Sequence, residues 1–504
     1  MKTKKAPLPV RVIALVLFAV MLVLTCACVW ATLSFDNISL EEVLFYLSMP
    51  LRGTATQFTR ELILFVAVPS VLLFGLLLLL CFWPFRKGPR FLPLRIPMRI
   101  AYPLLAVWLA VILPIGNRLL GISDFIYARL NQSTFIEEHY VDPAKVNVTF
   151  PEKKRNLITL YVESAETTNQ DVENGGLMDI NYTPEMTEIA KNNVAFSQND
   201  LLQGAAVAPA CGWTVAGMVA QTGGIPLKFF RYDNLTTDNM GKDLVNFLPG
   251  ATMLGDILKE NGYRNVFIVG SDFDFGGRRQ LYIQHGGYTI YDYFTAEADG
   301  WIPEGYYYGW GYEDKRLYEN AKNVLTELAA GDQPFHLGLL TVDTHNPGWL
   351  CDVCPQSDDA IYGRVLQCSS KQVGDFVAWC QEQPWYADTT IVITGDHASM
   401  TLGFYEDHAA AAYDRYAGSE DRFVYNAFVN CAVQPVQMKN RKFTTMDFFP
   451  TVLAAMGASI EGERLGLGTN LFSAAETLSE EYGYDTLFDE LRRKSSFYDS
   501  KLLR

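Results

Sequence analysis

The sequence has no excess of positive charge and few cysteines, and each shortage excludes a class of protein. Lysine and arginine total 41 against 56 aspartate and glutamate residues, a net charge of −15, which argues against a nucleic-acid binder. Nine cysteines in 504 residues are too few for a disulfide-dense scaffold. Hydrophobic residues make up 49% and charged residues 19%, so the chain is not disordered. With no internal repeat or low-complexity tract, the length favours two or three structural units.

Three apolar runs near the amino terminus predict a transmembrane anchor of about three helices. Val12–Leu33 and Leu62–Trp83 carry no charged residue, and each has the length of about 20 residues that crosses a hydrocarbon core. A third run, from Ala101 to about Ile115, is interrupted by Pro103 and Pro114. A signal peptide is the alternative for the first run. Its apolar core would be shorter and followed by a cleavage site, so an uncleaved anchor is favoured.

The distribution of basic residues predicts the orientation of these spans. The loop Arg86–Arg99 carries five basic residues and no acidic one, and the amino terminus is also basic. Basic loops remain in the cytoplasm. Three crossings then place everything after about residue 120 outside the plasma membrane. We expect an anchor over residues 1–120, a juxtamembrane linker over 121–155, an extracytoplasmic domain over 156–475 and a carboxy-terminal tail over 476–504.

Beyond residue 156, short apolar runs alternate with segments of helical character. The predicted strands are Asn156–Val162, Tyr263–Gly270, Phe335–Val342 and Thr389–Gly395. The predicted helices are Pro184–Asn192, Met253–Asn261, Lys315–Ala330, Val365–Gln381 and Thr444–Met456, with a possible short helix at Ile122–Leu130. This alternation predicts an α/β fold with a mostly parallel sheet and helices on both faces.

Acidic and imidazole side chains follow the predicted strands. Glu163 follows the first strand, Asp343 and His345 follow the third, and Asp396 with His397 follows the fourth. Ligands gather at the carboxyl ends of parallel strands, so we expect these groups to converge. Glu163, Asp396 and His397 form a mixed oxygen and nitrogen set suited to Zn²⁺ or Mn²⁺. The other histidines are interpreted as structural or solvated: His139, His285, His336 and His408.

A candidate nucleophile lies in the segment Ala208–Leu227. A loop runs into Thr214, an apolar run follows, and Gly223 and Gly224 close it, which is typical of a short helix. The unpaired N–H groups at a helix start favour an anion. Thr214 is therefore either a simple helix cap or a fourth metal ligand, whose hydroxyl attacks as an alkoxide when its pKa is lowered by the metal.

Two further side chains are candidates for substrate contact. Arg278 can clamp a phosphate with two hydrogen bonds. His345 can bind a substrate oxygen or protonate a leaving group. The alternatives are that Arg278 and Arg279 are ordinary surface arginines and that His345 is only a loop residue before Pro347.

Four segments resemble the motifs of a known family. They are NLITLYVES at Asn156–Ser164, GWTVAGMVAQTGGIPL at Gly212–Leu227, DTHNP at Asp343–Pro347 and GDH at Gly395–His397. With these residues the chain resembles the sulfatase-like, membrane-anchored phosphotransferases. Among them the phosphoglycerol transferases that modify periplasmic glucans are the most similar and the lipoteichoic acid synthases come next. The resemblance covers about Asn156–Phe472 and implies an alkaline-phosphatase-like fold.

The resemblance also implies an activity, that of a phosphoglycerol transferase. Phosphatidylglycerol in the membrane would be cleaved to diacylglycerol, with glycerol phosphate left on Thr214. An extracytoplasmic glycan, glycolipid or polyglycerolphosphate acceptor would then take it. His345 and Arg278 match the substrate-contacting positions of the family. One divalent ion, Mn²⁺ or Zn²⁺, is implied to be held by four residues: Glu163, Thr214, Asp396 and His397.

Two other functions stay open from the sequence. The first is a phosphoethanolamine transferase, which would use the same nucleophile and metal, although such sites usually hold more histidines than the six found here. The second is a non-catalytic, membrane-tethered binding domain. An inert relative is expected to have lost a ligand, and Glu163, Thr214, Asp396 and His397 are all present.

Seven of the nine cysteines fall into two groups. Those in the apolar runs are interpreted as packing residues: Cys26, Cys28 and Cys81. Four others follow His345 and can form either a zinc site or one or two disulfides: Cys351, Cys354, Cys368 and Cys380. Disulfides are favoured because this part of the chain is predicted outside the cell. Cys211 either pairs or stays free.

Overall fold

The computed structural model describes residues 8–34, 39–48, 60–82, 98–228, 247–357, 359–409 and 422–504. By its contacts the chain divides into two units. One consists of Met1–Leu40 with Thr54–Ile126, and the other of Glu41–Gly53 with Tyr127–Arg504.

The smaller unit is helical. Its helices are α1 (Leu8–Ser34), α3 (Val68–Phe82, after a π-helical turn at Leu62–Ala67), α4 (Met98–Leu120) and the start of α5 (Ile122–Leu130), while α2 (Leu40–Ser48) lies almost wholly in the larger unit. Taken singly, none of the described helices is both long and apolar enough to cross a membrane. Ala106–Leu120 and Ile122–Leu130 meet that condition only as a pair bent by 73°. The Cys81 side chain and most of the basic loop Arg86–Arg99 lie outside the described residues.

A six-stranded sheet forms the centre of the larger unit. Its strands lie in the order β4-β3-β5-β2-β6-β7; β7 is antiparallel to β6 and all the other neighbours are parallel. The strands are β2 (Asn156–Val162), β3 (Arg264–Val269), β4 (Thr289–Tyr291), β5 (Phe335–Leu340), β6 (Thr389–Gly395) and β7 (Asn426–Val429). Short antiparallel pairs join β1 (Val148–Thr149) to β8 (Ser459–Ile460) and β9 (Arg464–Leu465) to β10 (Gly468–Thr469).

Helices cover both faces of this sheet. In chain order they are α6 (Phe135–His139), α7 (Pro184–Asn192), α8 (Thr214–Gly223), α9 (Leu254–Glu260), α10 (Arg278–Gln284), α11 (Tyr293–Ala298), α12 (Asp314–Ala329), α13 (Ile361–Gln381), α14 (Leu402–His408), α15 (Phe448–Ala455), α16 (Leu478–Tyr482) and α17 (Tyr484–Arg492).

The alternation of side chains along β2 explains why both faces are covered. Ile158, Leu160 and Val162 pack in the cluster that includes residues of α7, α12 and α13. Tyr161 belongs to the opposite cluster, which includes α8. A strand buried on both faces is a continuous apolar run, and this is how β2 was recognised in the sequence.

The predicted α/β architecture is confirmed, with differences at the ends of elements and in two strands. All four predicted strands are present, with shifts of at most two residues. The strands β4 and β7 were missed, because β4 has three residues and β7 has four, too few for a periodicity to show. The segment 476–504, predicted as a tail, contains α16 and α17. Leu487, Leu491 and Tyr498 of this segment are buried in the core.

The close packing of α8 on the end of β6 requires a glycine. A Cβ added at Gly217 would lie 2.1 Å from the backbone oxygen of Asp396. Helix α8 is also tethered through Gln221, whose Nε2 donates to Gly395 O (2.7 Å) and whose Oε1 accepts from Thr394 Oγ1 (2.7 Å). The first residue of α8, Thr214, is therefore held at a fixed distance from Asp396.

Gly217→Ala is expected to destabilise the larger unit by about 1–3 kcal/mol, because the new methyl group meets backbone rather than a flexible side chain. Its thermal unfolding midpoint should fall below that of the wild type. Gly403→Ala is the matched control, since among the described residues no atom lies within 4 Å of a Cβ added at this helical glycine. That control should be neutral or slightly stabilising. Equal midpoints for the two variants would contradict the close approach.

Candidate active site

Three predicted metal ligands meet at the carboxyl ends of two adjacent strands. Val162 of β2 is paired with Gly395 of β6, so the next residues, Glu163 and Asp396, leave the sheet side by side. His397 Nε2 lies 3.4 Å from Glu163 Oε1 and 3.4 Å from Asp396 Oδ2. All three side chains are buried. The parallel register of β2 and β6 therefore assembles the cluster.

Asp396 has one oxygen engaged and one without a hydrogen-bond partner. Its Oδ1 accepts from the backbone N–H groups of Ser164 (2.8 Å) and His397 (2.9 Å). Its Oδ2 is buried and has no hydrogen-bond donor among the described residues. An unsatisfied buried carboxylate oxygen is costly, and it faces the cluster.

The orientation of the His397 ring is set by the backbone. Nδ1 lies 2.8 Å from the carbonyl oxygen of Ala398, which can only accept, so Nδ1 carries a proton and donates it. In the neutral ring Nε2 is left with its lone pair directed at Glu163 and Asp396. A backbone carbonyl that fixes the ring in this way is a common partner of a metal-ligating histidine.

Thr214 is the fourth member of the cluster. It is the first residue of α8, while Trp213 occupies the N-cap position and its side chain makes no capping hydrogen bond. The Thr214 Oγ1 atom lies 3.3 Å from His397 Nε2. The hydroxyl is thus directed at His397, and the interpretation of Thr214 as a simple helix cap is wrong.

The arrangement fits a divalent cation. Tetrahedral bonds of about 2.1 Å to oxygen and nitrogen separate ligand atoms by about 3.4 Å. The distances of 3.3, 3.4 and 3.4 Å match this value. The carboxylate oxygen, the imidazole lone pair and the hydroxyl would be the ligand atoms, and Asp396 Oδ2 would gain the partner it lacks.

His345 lies on the loop after β5, and this loop is held by a pair of buried aspartates. Asp314 Oδ1 and Oδ2 accept from the backbone N–H groups of Val342 (2.7 Å) and Asp343 (3.0 Å). Asp343 Oδ2 accepts from Asp314 N (3.1 Å). Desolvation raises the pKa of both carboxyls, to about 7 for Asp314. Asp343 is therefore a support for the loop, while the His345 ring packs 4.5 Å from the Trp310 ring.

The two adjacent arginines have different roles. Arg278 is 4% exposed, donates to Asp272 O (2.8 Å) and to Ser271 Oγ (3.2 Å), and interacts electrostatically with Glu163 and Asp396. Arg279 forms ion pairs with Asp274 and Asp292. Arg278 is thus a buried cation near the cluster, and Arg279 is structural.

Helix α2 contributes to this region and was missed in the sequence analysis. The Tyr46 ring stacks on Phe275 at 5.2 Å, and Phe45 packs 5.7 Å from Trp213. Glu42 is 7% exposed and its charge raises the pKa of Tyr46, after the larger effect of desolvation. The S-x-x-E spacing of a capping box, from Ser39 to Glu42, is the local signal for this helix.

The remaining histidines make structural contacts. His285 bonds with Asp256 Oδ2 and Phe247 O, and His336 is buried between Thr159 and Tyr288. His408 Nδ1 lies 2.8 Å from Phe404 O. His139 packs on the rings of Phe135 and Tyr482. None of these four adds a ligand to the cluster.

Comparison with known proteins gives one family match. The profile of the Sulfatase family matches residues 155–458. The phosphoglycerol transferase I of Shigella flexneri is 30% identical over 376 residues, which are 73% of this chain and 44% of that protein. The phosphoglycerol transferase I of Escherichia coli K12 is 29% identical over the same shares. The chain thus spans less than half the length of these relatives.

One solved structure shows the same fold at low sequence identity, and a second is similar over a shorter part of the chain. The integral membrane lipooligosaccharide phosphoethanolamine transferase of Neisseria meningitidis has a TM-score of 0.50 and 14% identity, over 88% of this chain and 84% of that chain. A lipoteichoic acid synthase of Listeria monocytogenes has a TM-score of 0.49 and 17% identity, over 68% and 82% of the two chains.

Metal affinity is expected to rise with pH. Desolvation and the neighbouring Glu163 raise the pKa of Asp396 to about 7. Desolvation would lower the pKa of His397, but the charges of Asp396 and Glu163 raise it to about 9. Both groups must lose their protons before they bind a metal. The affinity should therefore increase up to about tenfold per pH unit between pH 7 and 9, and more steeply below pH 7.

Calorimetric titration of the metal-free protein at several pH values, in buffers of different ionisation enthalpy, measures both the affinity and the protons released. Asp396→Asn should abolish this site, whereas Glu173→Gln, an exposed acid of the same unit, should not alter it. A pH-independent affinity with no proton release would contradict the assignment of these ligands.

Proposed function

The chain belongs to the sulfatase family, and from this premise we propose that it is a metal-dependent phosphoglycerol transferase of the plasma membrane. It would move glycerol phosphate from phosphatidylglycerol to an extracytoplasmic glycan or polyglycerolphosphate acceptor. Thr214 would carry the glycerol phosphate between the two half-reactions. The family and the residues of the cluster support the proposal. The donor, the acceptor and the membrane location are the parts that it adds.

One observation carries this proposal: a threonine hydroxyl at a helix start lies 3.3 Å from a histidine nitrogen that also contacts two buried carboxylates. A divalent metal bound there would lower the pKa of the hydroxyl and stabilise negative charge on the phosphoryl oxygens. The N–H groups at the start of α8 favour the same anion. A non-catalytic binding domain would have no need of a hydroxyl in this position.

The transfer takes two balanced steps. In the first, Thr214 Oγ1 loses its proton to solvent and forms a bond to the donor phosphorus while the bond from phosphorus to the diacylglycerol oxygen breaks, and that oxygen takes a proton from solvent. In the second, the acceptor oxygen forms a bond to phosphorus, the Thr214 Oγ1–phosphorus bond breaks, and Oγ1 takes back a proton. The acceptor hydroxyl must lose its proton in this step.

His345 would bind the acceptor hydroxyl. Desolvation lowers its pKa to about 4, so the ring is neutral at pH 7. Its Nδ1 lies 3.1 Å from Asn346 O and donates to it, which leaves Nε2 as an acceptor. A neutral ring can accept a hydrogen bond from a substrate hydroxyl at Nε2 but carries no proton there to give to the leaving group, the other role considered from the sequence.

Arg278 would stabilise the charge on the donor phosphate. It is buried, and the charges of Glu163 and Asp396 oppose the lowering of its pKa by desolvation. The Phe273 and Phe275 rings lie 5.6 and 5.7 Å from its guanidinium carbon. Tyr46 of α2 stacks on Phe275, so α2 supports the position of Arg278.

The phosphoethanolamine transferase alternative differs only in the donor head group. The four histidines that make structural contacts do not reach the cluster, which leaves His345 and His397. This low number favours the neutral glycerol head group. Glu42 is the acid that would attract an ethanolammonium group instead. Vesicles of each lipid therefore separate the two donors.

Thr214→Ala is expected to reduce diacylglycerol release from phosphatidylglycerol vesicles by about 10³-fold or more, since the bond-forming atom is lost. Thr214→Ser should keep measurable activity. With labelled lipid, the wild-type peptide that contains Thr214 should gain one glycerophosphoryl group by mass spectrometry. Thr326→Ala, at an exposed helical position, serves as the control for handling and folding. Undiminished turnover in a folded Thr214→Ala protein would rule out the mechanism.

Tyr46→Ala is expected to lower kcat/KM by about tenfold, because an aromatic pair contributes about 0.5–1.5 kcal/mol and the Arg278 loop loses its support. Tyr46→Phe keeps the ring and should retain nearly all activity. Initial rates on the vesicles measure the difference. Equal losses in both variants would indicate a role of the hydroxyl instead. No loss in either variant would contradict the support of Arg278 by α2.

A further inference from the structure

Three cysteines lie together outside the candidate active site. Cys351 Sγ is 3.5 Å from Cys354 Sγ and 3.6 Å from Cys368 Sγ, and all three sulfurs lie within 4.8 Å of one another. The first two belong to the loop between β5 and α13, and the third belongs to α13. Cys380, also predicted to join them, is instead buried in the apolar core.

These distances match those between thiolates on one metal ion. Zinc–sulfur bonds of about 2.3 Å in a tetrahedron separate two sulfurs by about 3.8 Å. A disulfide would need a separation of about 2.05 Å and would leave the third sulfur out. Cys351 Sγ is nearly equidistant from the other two sulfurs, so neither is singled out as its disulfide partner.

The polar groups around the sulfurs are mostly donors. Cys351 N donates to Cys354 Sγ (3.2 Å), and Gln372 Nε2 donates to Cys368 Sγ (3.2 Å). Hydrogen bonds to sulfur stabilise the thiolate that a metal requires and orient it. Two of the three sulfurs, those of Cys354 and Cys368, therefore have such a donor.

We propose that Cys351, Cys354 and Cys368 bind a second, thiophilic divalent ion, Zn²⁺, with a solvent molecule as the fourth ligand. Cys368 lines a cavity of about 330 Å³, through which solvent reaches the cluster. Lys315 and Lys371 line the same cavity, and each is paired with a carboxylate, Asp352 and Asp375 respectively. On binding, each thiol that is still protonated releases one proton to solvent.

The ion would join the loop that carries His345 to α13. Trp349 lies between His345 and Cys351, and its backbone N–H donates to Asp343 O (2.8 Å). This hydrogen bond closes the short loop that carries His345. A metal at Cys351 and Cys354 would fix the far end to Cys368. The site is thus a clamp on the His345 loop rather than part of the chemistry.

The test uses the full chain with two proposed metal ligands of the active site replaced, by Glu163→Gln and Asp396→Asn. This double variant should retain one equivalent of zinc after purification without chelator. Replacement by Co²⁺ should give a thiolate-to-cobalt charge-transfer band, which ligands of oxygen and nitrogen cannot produce. Adding Cys368→Ser should abolish both signals. Adding Cys431→Ser, at a half-buried thiol away from the cluster, should leave both unchanged.

A chelator should also accelerate hydrogen exchange in residues 343–357 of the wild type, a readout that does not depend on activity. If the Cys368→Ser protein does not fold, the zinc content and cobalt spectrum of the double variant decide alone. A folded double variant without zinc or without the charge-transfer band would overturn the proposal. So would a disulfide between any two of the three cysteines, found by mass spectrometry of protein purified without reductant.

Discussion

Two buried carboxylates at the ends of neighbouring parallel strands are the constraint on which the site depends. Because β2 and β6 pair in this register, Glu163 and Asp396 leave the sheet at adjacent positions. Burying two like charges costs several kcal/mol unless a cation compensates them. Without a metal, a protonated His397 supplies the compensating charge, because the charges of Asp396 and Glu163 outweigh desolvation and raise its pKa to about 9. Desolvation and the charge of Glu163 raise the pKa of Asp396 to about 7. A divalent ion compensates the same charge more fully.

The surrounding structure brings the nucleophile and the supporting groups to this pair. Gly217 allows α8 to approach the backbone of Asp396, and Gln221 ties the helix to β6. Asp314 holds the loop of His345 from a separate helix. Each of these residues lies outside the proposed metal-ligand set. Their common effect is to fix distances between groups that are far apart along the chain.

Much of this was predictable because the signals are local. The strands β2 and β6 are apolar, β-branched runs. Because sites form at the carboxyl ends of parallel strands, the sequence alone predicts that Glu163, Asp396 and His397 lie together. Helix α2 could not be placed in this way. Its capping pattern indicates a helix, but no local pattern shows that Tyr46 packs on Phe275. The same holds for the cysteine cluster, whose geometry depends on where α13 lies against the loop.

The central claim is that one cation joins Glu163, Asp396, His397 and Thr214. Anomalous diffraction from crystals of the protein grown with Mn²⁺ tests it most directly. The account predicts a peak about 2.1 Å from Asp396 Oδ2 and His397 Nε2, with Thr214 Oγ1 and a Glu163 oxygen completing the coordination. A fully loaded protein with no peak among these four side chains would contradict it.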